Sequence, residues 1–557
     1  MAVVAQIEAW RKEAHWGPGG APETFPLRAV LVAIVLVARE TVLPMLATAM
    51  RDVLFKHISP AMRRELGVPD PPEAGDVKGW DARYRNVRTR LHGMLEVMDP
   101  SPYPKNRRLG PEEFAARTRP LSPEQTQEFY ERLTWFVNQI LDASIHQMPR
   151  EIRRRWKGSV ALDATPIPLF ARAEERESGR KKRRKVVVHS TDPDGAWYVR
   201  ERDHRDPDTI AELRTLEGKM LRKLIWAEEA TLVVMGADDP AEDHTFPYLI
   251  VGMAPLHKPG HEVGEKAIVA LASIRARGHP SRWLGGDRNY TNAIADKFQL
   301  PARALGNKVV IDYREDQLGV QDSWNGALLV EGNWYSPGMP QALIDATIQF
   351  RRGQIDEDLW HERIAARAPY RLRPKSAPDK EGHVIWVCPA GGPCPMARCD
   401  NKPASNNAKT AGKVRIFLTD DLVQDPDLIC TQQSLTIPPE AGAKYVQDLQ
   451  YASAAWQTVY STLRNTIEGF NGLAKDGGYE ALGDSNRRRI RGQAAQSVFV
   501  AFLLFGANLR KIDRFIDLSA VTFEGGRQVR KIRRRRTAAL SDWLPAAPDD
   551  DSKPLLA

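Results

Sequence analysis

The chain has 557 residues, 42% of them apolar, with 14 tryptophans, four cysteines and a formal net charge of +9. Such a length exceeds what one compact core sustains and implies two to four domains, and so few cysteines in so long a chain argue against a disulfide framework. The first twenty residues lack an apolar core followed by a small-residue cleavage site, so no secretory signal is expected.

Residues 1–150 carry amphipathic patterns punctuated by proline ("GVPDPPEAG", "MDPSPYPKNRRLGPEE") and predict a helical region. Short helices with a basic complement suit either a structural bundle or a DNA-binding domain, and no recognition helix stands out. The most apolar runs, Ala29 to Ala38 and Ser497 to Leu509, are shorter than the about 20 residues a bilayer requires. Both are expected as buried core helices, with no membrane partner.

From Ser159 the texture changes to strands. "SVALDATPI", "KVVVHST", "AWYVRE", "ATLVVMGAD" and "YLIVGMAP" are followed by a helix, "GEKAIVALASIRARG", and by a strand, "SRWLGG", that runs into Asp287. Strands first, then strand and helix in alternation, predict an α/β mixed sheet flanked by helices over 151–314. Residues 315–440, with their tryptophans, prolines and cysteines, read as an insertion, after which helical pattern resumes over 441–520. Residues 521–557 form a tail that is basic at first and, after Arg536, polar and Pro-rich, the latter part expected to be disordered.

Charge is unevenly spread. Between Asn486 and Arg536 there are 14 Arg or Lys against Asp513, Asp517 and Glu524, a local excess of +11. Arg487, Arg488, Arg489 and Arg491 are the candidate phosphate contacts, supported by the runs "RRRWK" from Arg153 and "KKRRK" from Lys181. Such contacts hold DNA without reading its sequence.

Three carboxylates carry the candidate chemistry. Asp163 lies within an apolar strand, where an unpaired charge is costly to bury. Asp287 follows "WLGG", whose glycines permit close approach. Glu468 lies in the helix "YSTLRNTIEGFNGLAK", where Arg464, Glu468 and Lys475 share one stripe at spacings of four and seven. Gly469 and Gly472 each cost that helix about 1 kcal/mol against alanine, an expense that a close approach of DNA or of a neighbouring strand would offset. Converging acids on separate elements repel one another unless divalent metal fills the space between them.

"ALDATPI", "LGGDRNY" and "YSTLRNTIEGFNGLAK" resemble the three acidic motifs of DDE transposases of the bacterial insertion-sequence kind, which have an RNase H-like core. The third motif of that group runs Tyr, two residues, Arg, three residues, Glu, six residues, Lys. Arg464, Glu468 and Lys475 keep that spacing, and Tyr460 stands one residue further from the arginine. The resemblance covers about 160–300 and 440–512. It implies that Asp163, Asp287 and Glu468 hold two Mg2+ (or Mn2+) ions, and that Tyr460, Arg464, Lys475 and Arg288 contact DNA at the transposon ends. It also implies cleavage of double-stranded DNA and strand transfer into a target, by a homodimer or higher multimer assembled on DNA in the cytoplasm, associated with the nucleoid. A non-catalytic DNA-binding regulator descended from such an enzyme, and an RNase H-like nuclease that cuts without joining, are the alternatives.

Cys388, Cys394, Cys399 and Cys430 are spaced by six, five and 31 residues. Only the Cys394 and Cys399 pair has the two to four intervening residues usual for paired zinc thiolates. A structural Zn2+, with His383 as an alternative ligand, competes with buried thiols of no shared role.

Overall fold

A single long strand pair organises the structure, a computed structural model that describes residues 2–14, 25–40, 43–176, 186–199, 224–237, 245–288, 290, 293–519, 521–524 and 527–530. The central sheet comprises β1 (Val160–Pro168), β2 (Ala196–Val199), β3 (Leu224–Met235), β4 (Ile250–Met253), β5 (Trp283–Gly286) and β6 (Lys308–Ile311). Its order is β2-β3-β1-β5-β6, with β4 also on β3. β1 runs antiparallel to β3 from Val160↔Met235 to Pro168↔Ala227. β2 and β4 share the far edge of β3, at its two ends, while β5 and β6 continue the sheet parallel to β1. The fold is therefore mixed α/β with a mixed sheet.

Because side chains alternate along a strand, each face of the sheet has its own apolar set. Ala161 and Ile167 of β1 join Ala230, Leu232 and Val234 of β3 in one cluster. Val160, Leu162, Val233 and Met235 join Leu284 and Val309 in the other. Five helices matter for the site and its support: α1 (Leu27–Arg39), α2 (Pro123–Ile145), α3 (Val263–Ala276), α4 (Ala454–Lys475) and α5 (Gln493–Ser519). α3 covers the second face through Ala267, Ala270, Leu271 and Ile274. α2, α4 and α5 pack on the first, and α1 packs on α5.

The helical N-terminal region is helical as expected, and it shares its core with the sheet rather than standing apart. Two buried asparagines make the junction specific. Asn138 of α2 exchanges both amide hydrogen bonds with the backbone of Met253, and Asn508 of α5 does the same with Ile250. The exposed edge of β4 is thus satisfied by side-chain amides instead of another strand. The apolar runs expected as core helices lie in α1 and α5, which pack against each other. Among the described residues no helix is long and apolar enough to cross a membrane.

Between β6 and α4, small sheets over Val320–Tyr335 and over Arg373–Ile437 surround a third apolar cluster that includes Leu329, Trp334, Tyr335, Leu435 and Ile437. A fully buried ion pair braces it: Arg367 Nη1 donates to Glu331 Oε2 at 2.5 Å and its other nitrogens to Leu343 and Ile344 carbonyls. At the start of the tail Val521–Glu524 and Arg527–Arg530 pair as an antiparallel hairpin. The "KKRRK" run and residues 531–557 lie outside the described residues.

Candidate active site

The register between β1 and β5 sets Leu162 opposite Gly286, so the next residues, Asp163 within β1 and Asp287 just past the end of β5, stand side by side. Between β5 and β6 the same parallel register sets Gly286 opposite Ile311, which places Asp312 next in the row. Three neighbouring parallel strands therefore bring three aspartates to one level. Asp312 is neutralised locally: Arg288 and Arg351 pair with it, and the Tyr451 hydroxyl donates to it at 2.5 Å. Asp163 is held differently. Burial and the neighbouring Asp287 push its carboxyl up to about 6, against the opposing pull of the Ala164 amide, Lys475 and Asn471. A like charge beside a desolvated carboxylate disfavours ionisation, and a cation between the two would relieve it.

α4 crosses this row because glycine lets it. A Cβ on Gly285 would stand 2.7 Å from Leu463 Cβ, and one on Gly236 would stand 2.3 Å from Leu463 Cδ2. The first glycine of "WLGG" permits a close approach, and what approaches is the helix. The helix starts at Ser453, whose side chain accepts from the Trp456 amide, and buries the stripe Trp456, Val459, Leu463, Ile467, Phe470 and Ala474. One residue on from that stripe run Arg464, Glu468, Asn471 and Lys475.

Each candidate on that stripe has a definite place. Arg464 Nη2 pairs with Glu468 Oε1 at 2.9 Å on the exposed flank. Burial lowers the Arg464 pKa, but the Tyr460 hydroxyl, Glu468 and Asp287 outweigh it and raise the guanidinium above its ordinary value. Tyr460 stacks on Trp456 at 4.6 Å and lies one turn from Arg464. Its extra residue of spacing is harmless, because i−3 and i−4 both return to the same helix face. Lys475 is exposed and acts on Asp163 electrostatically. Arg288 is committed to Asp312 through Nε at 2.7 Å, yet keeps half of its side chain exposed.

Three further groups are coupled to the aspartate pair. Asn471 Nδ2 donates to Asp163 Oδ2 at 2.5 Å. Glu229, buried on β3, accepts from the Gly260 amide at 2.9 Å. Burial, Asp163 and Asp287 push Glu229 up to about 7 despite the Gly260 hydrogen bond. The Tyr290 hydroxyl is buried without a hydrogen-bond partner, and burial together with Asp163, Asp287 and Glu229 raises its pKa. Asn471 was legible as a fourth member of the stripe. Glu229 was masked by its own strand, which the apolar pattern starts at Ala230 while β3 begins at Leu224. Asp312 repeats the signature of an apolar strand ending in aspartate, in "VVID".

Two of the four candidate phosphate contacts are corrected. Arg487 is buried and donates to the carbonyls of Val37, Ala38 and Glu40 at the end of α1. Arg488 is fully buried and donates to the Leu482 and Pro168 carbonyls and to Gln496 Oε1. Both guanidiniums satisfy backbone carbonyls of converging segments and cannot reach a phosphate. Arg489 is exposed and lies over the half-exposed Phe170 ring at 5.4 Å; Arg491 lies over the same ring at 5.8 Å and donates to Asn106.

Cys388, Cys399 and Cys430 are buried in the third cluster and Cys394 is exposed. Burial, Cys388 and Cys399 push the Cys430 thiol up to about 11. The Lys402 ammonium stands among them, donating to the Cys430 and Gln432 carbonyls. His383 faces Asp379 and Glu381 instead. A cation already fills the neighbourhood of these thiols, and this arrangement does not fit zinc.

Among the described residues no three His, Cys, Asp or Glu side chains converge closely enough to hold a metal ion. For Mg2+ the fit is therefore that of a pair: Asp163 and Asp287 supply adjacent hard oxygen donors in a site short of positive charge, and Glu468 is turned to Arg464. No family model, curated protein or solved structure matches the chain.

Proposed function

We propose that the chain is a transposase with an RNase H-like core, cleaving DNA at transposon ends and joining the freed ends to target DNA. One observation carries this reading. Two acids 124 residues apart stand side by side on adjacent parallel strands, and a helix arriving 181 residues later carries Arg464, Glu468 and Lys475 on the stripe from which Asn471 contacts Asp163. A mixed sheet with acids in the order strand, strand, helix is what the resemblance to DDE transposases leads one to expect.

Asp163 and Asp287, joined by Glu468, would hold the divalent cations. Bound there, such ions supply Lewis acidity that activates an attacking oxygen and stabilises a leaving one. In the first step water attacks phosphorus at the element end, the bond to the 3' oxygen breaks, and a 3' hydroxyl is released. That hydroxyl then attacks a target phosphodiester in line, forming a new ester and expelling the target's own 3' oxygen. Arg464 and Lys475 flank the acids and bind the phosphates on either side. In the DNA-free chain Arg464 is occupied by Glu468, so a phosphate that takes the guanidinium also frees the carboxylate to turn toward Asp163 and Asp287.

Replacing Arg464 or Lys475 with Gln should weaken affinity for element ends, and lower cleavage, by about 1–3 kcal/mol each, with little change in melting temperature. Wild-type end binding and cleavage in both variants would return the stripe to an ordinary solvated face, where a lost pair is worth under about 0.5 kcal/mol. Gly469 and Gly472 give a second test. A Cβ at either would meet nothing within 4 Å, so the chain's own packing does not demand glycine there. Gly469→Ala and Gly472→Ala should each stabilise the protein by about 1 kcal/mol in urea unfolding, and should lower end cleavage by crowding the DNA. Stabilised variants that cleave normally would place the DNA elsewhere.

A further inference from the structure

Asn471 stands three residues after Glu468 and four before Lys475, and its Nδ2 is spent on Asp163 Oδ2 at 2.5 Å. A carboxylate oxygen accepts, so that contact also fixes which end of the amide is the oxygen. Oδ1 is buried and accepts no hydrogen bond. It belongs to the amide that contacts Asp163, a carboxylate further crowded by the neighbouring Asp287. An orphaned amide oxygen next to crowded carboxylates is a donor suited to a hard cation, since such ions accept amide oxygens as well as carboxylates. An amide has one advantage here: it adds a ligand without adding to the repulsion between Asp163 and Asp287.

We propose that Asn471, through Oδ1, is the third protein ligand of the divalent cation held by Asp163 and Asp287 in the DNA-free chain, and that Glu468 joins only once DNA has taken Arg464. This rests on the cation-dependent reading of the site. It accounts for two acids and no third at hand, and for an amide rather than a carboxylate on α4 opposite Asp163.

Mn2+ binding to the full-length, DNA-free protein, followed by electron paramagnetic resonance, tests it without any catalytic readout. Asp287→Asn should abolish binding, Asn471→Leu should weaken it at least tenfold, and Glu468→Gln should leave it unchanged. Asn471→Asp guards against simple misfolding of the leucine variant: it should melt lower than wild type in EDTA at pH 8 and gain more from Mn2+, because it adds a charge that only the cation offsets. A merely structural asparagine would lose the same melting temperature with and without Mn2+. Wild-type affinity in Asn471→Leu, with binding still abolished in Asp287→Asn, would overturn the ligand role and leave the cation site standing. Absence of Mn2+ binding by the wild type would overturn both.

Discussion

Asp163→Asn and Asp287→Asn are expected to abolish DNA cleavage, leave DNA binding largely intact, and make the DNA-free protein more stable at pH 8. The sign follows from the Asp163 carboxyl, which sits at about 6 in the fold against an ordinary 3.8, because of burial and the neighbouring Asp287. Between those values the folded chain keeps a proton that the unfolded chain has lost, so stability falls as pH rises through the window. The penalty is absent below about pH 4 and complete above about pH 6, where it is on the order of 3 kcal/mol. Asp163→Asn removes it, so the gain should be present at pH 8 and vanish at pH 4. Mg2+ should stabilise the wild type, more at pH 8 than at pH 5, and should not stabilise either variant. Melting curves across pH with and without Mg2+ check this, and an Asp287→Asn protein that cleaves would remove the pair from the chemistry.

Arg488→Leu is expected to destabilise the protein by about 3 kcal/mol or to prevent folding, while Arg489→Gln and Arg491→Gln leave stability within about 0.5 kcal/mol. Burial pushes the Arg488 guanidinium down to about 10, with Asp484 and Glu228 opposing that fall, and its loss strands the Leu482 and Pro168 carbonyls inside the protein. The two exposed arginines should instead govern DNA affinity, each removal lowering the slope of log affinity against log salt by about 0.9 if it contacts a phosphate. Urea unfolding and salt-dependent binding, run on the same three proteins, separate the roles. A salt slope that changes in a folded Arg488→Leu protein, and not in the other two, would reverse the assignment.

The contrast between Arg488 and Arg489 marks where the sequence stops being legible. Asp163, Asp287 and the α4 stripe could be read because each depends on local pattern: an acid within or just after an apolar strand, or charges at helical spacing. Even the displaced Tyr460 follows from helix geometry alone. Which arginine in "RRRIR" faces solvent depends instead on carbonyls of Val37, Ala38 and Glu40 about 450 residues away, and no local pattern reports them. The N-terminal helices looked separable for the same reason, since Asn138 and Asn508 reveal their docking role only once β4 lies beside them. β3 was shortened in the reading because Glu228 and Glu229 break its apolar run, although both are buried. Charged residues in a strand signal exposure by composition, and only the neighbouring layers decide otherwise.

Strand transfer is the most direct measurement. Purified full-length protein would be incubated with Mg2+, a donor plasmid carrying the DNA that flanks its own coding sequence, and a target plasmid, and the junctions sequenced. Donor 3' ends joined to target DNA are expected, lost in EDTA and in Asp163→Asn and Asp287→Asn. Joined products that persist in EDTA or in Asp287→Asn, or nicked donor ends that never join, would contradict a cation-dependent transposase built on this pair of aspartates.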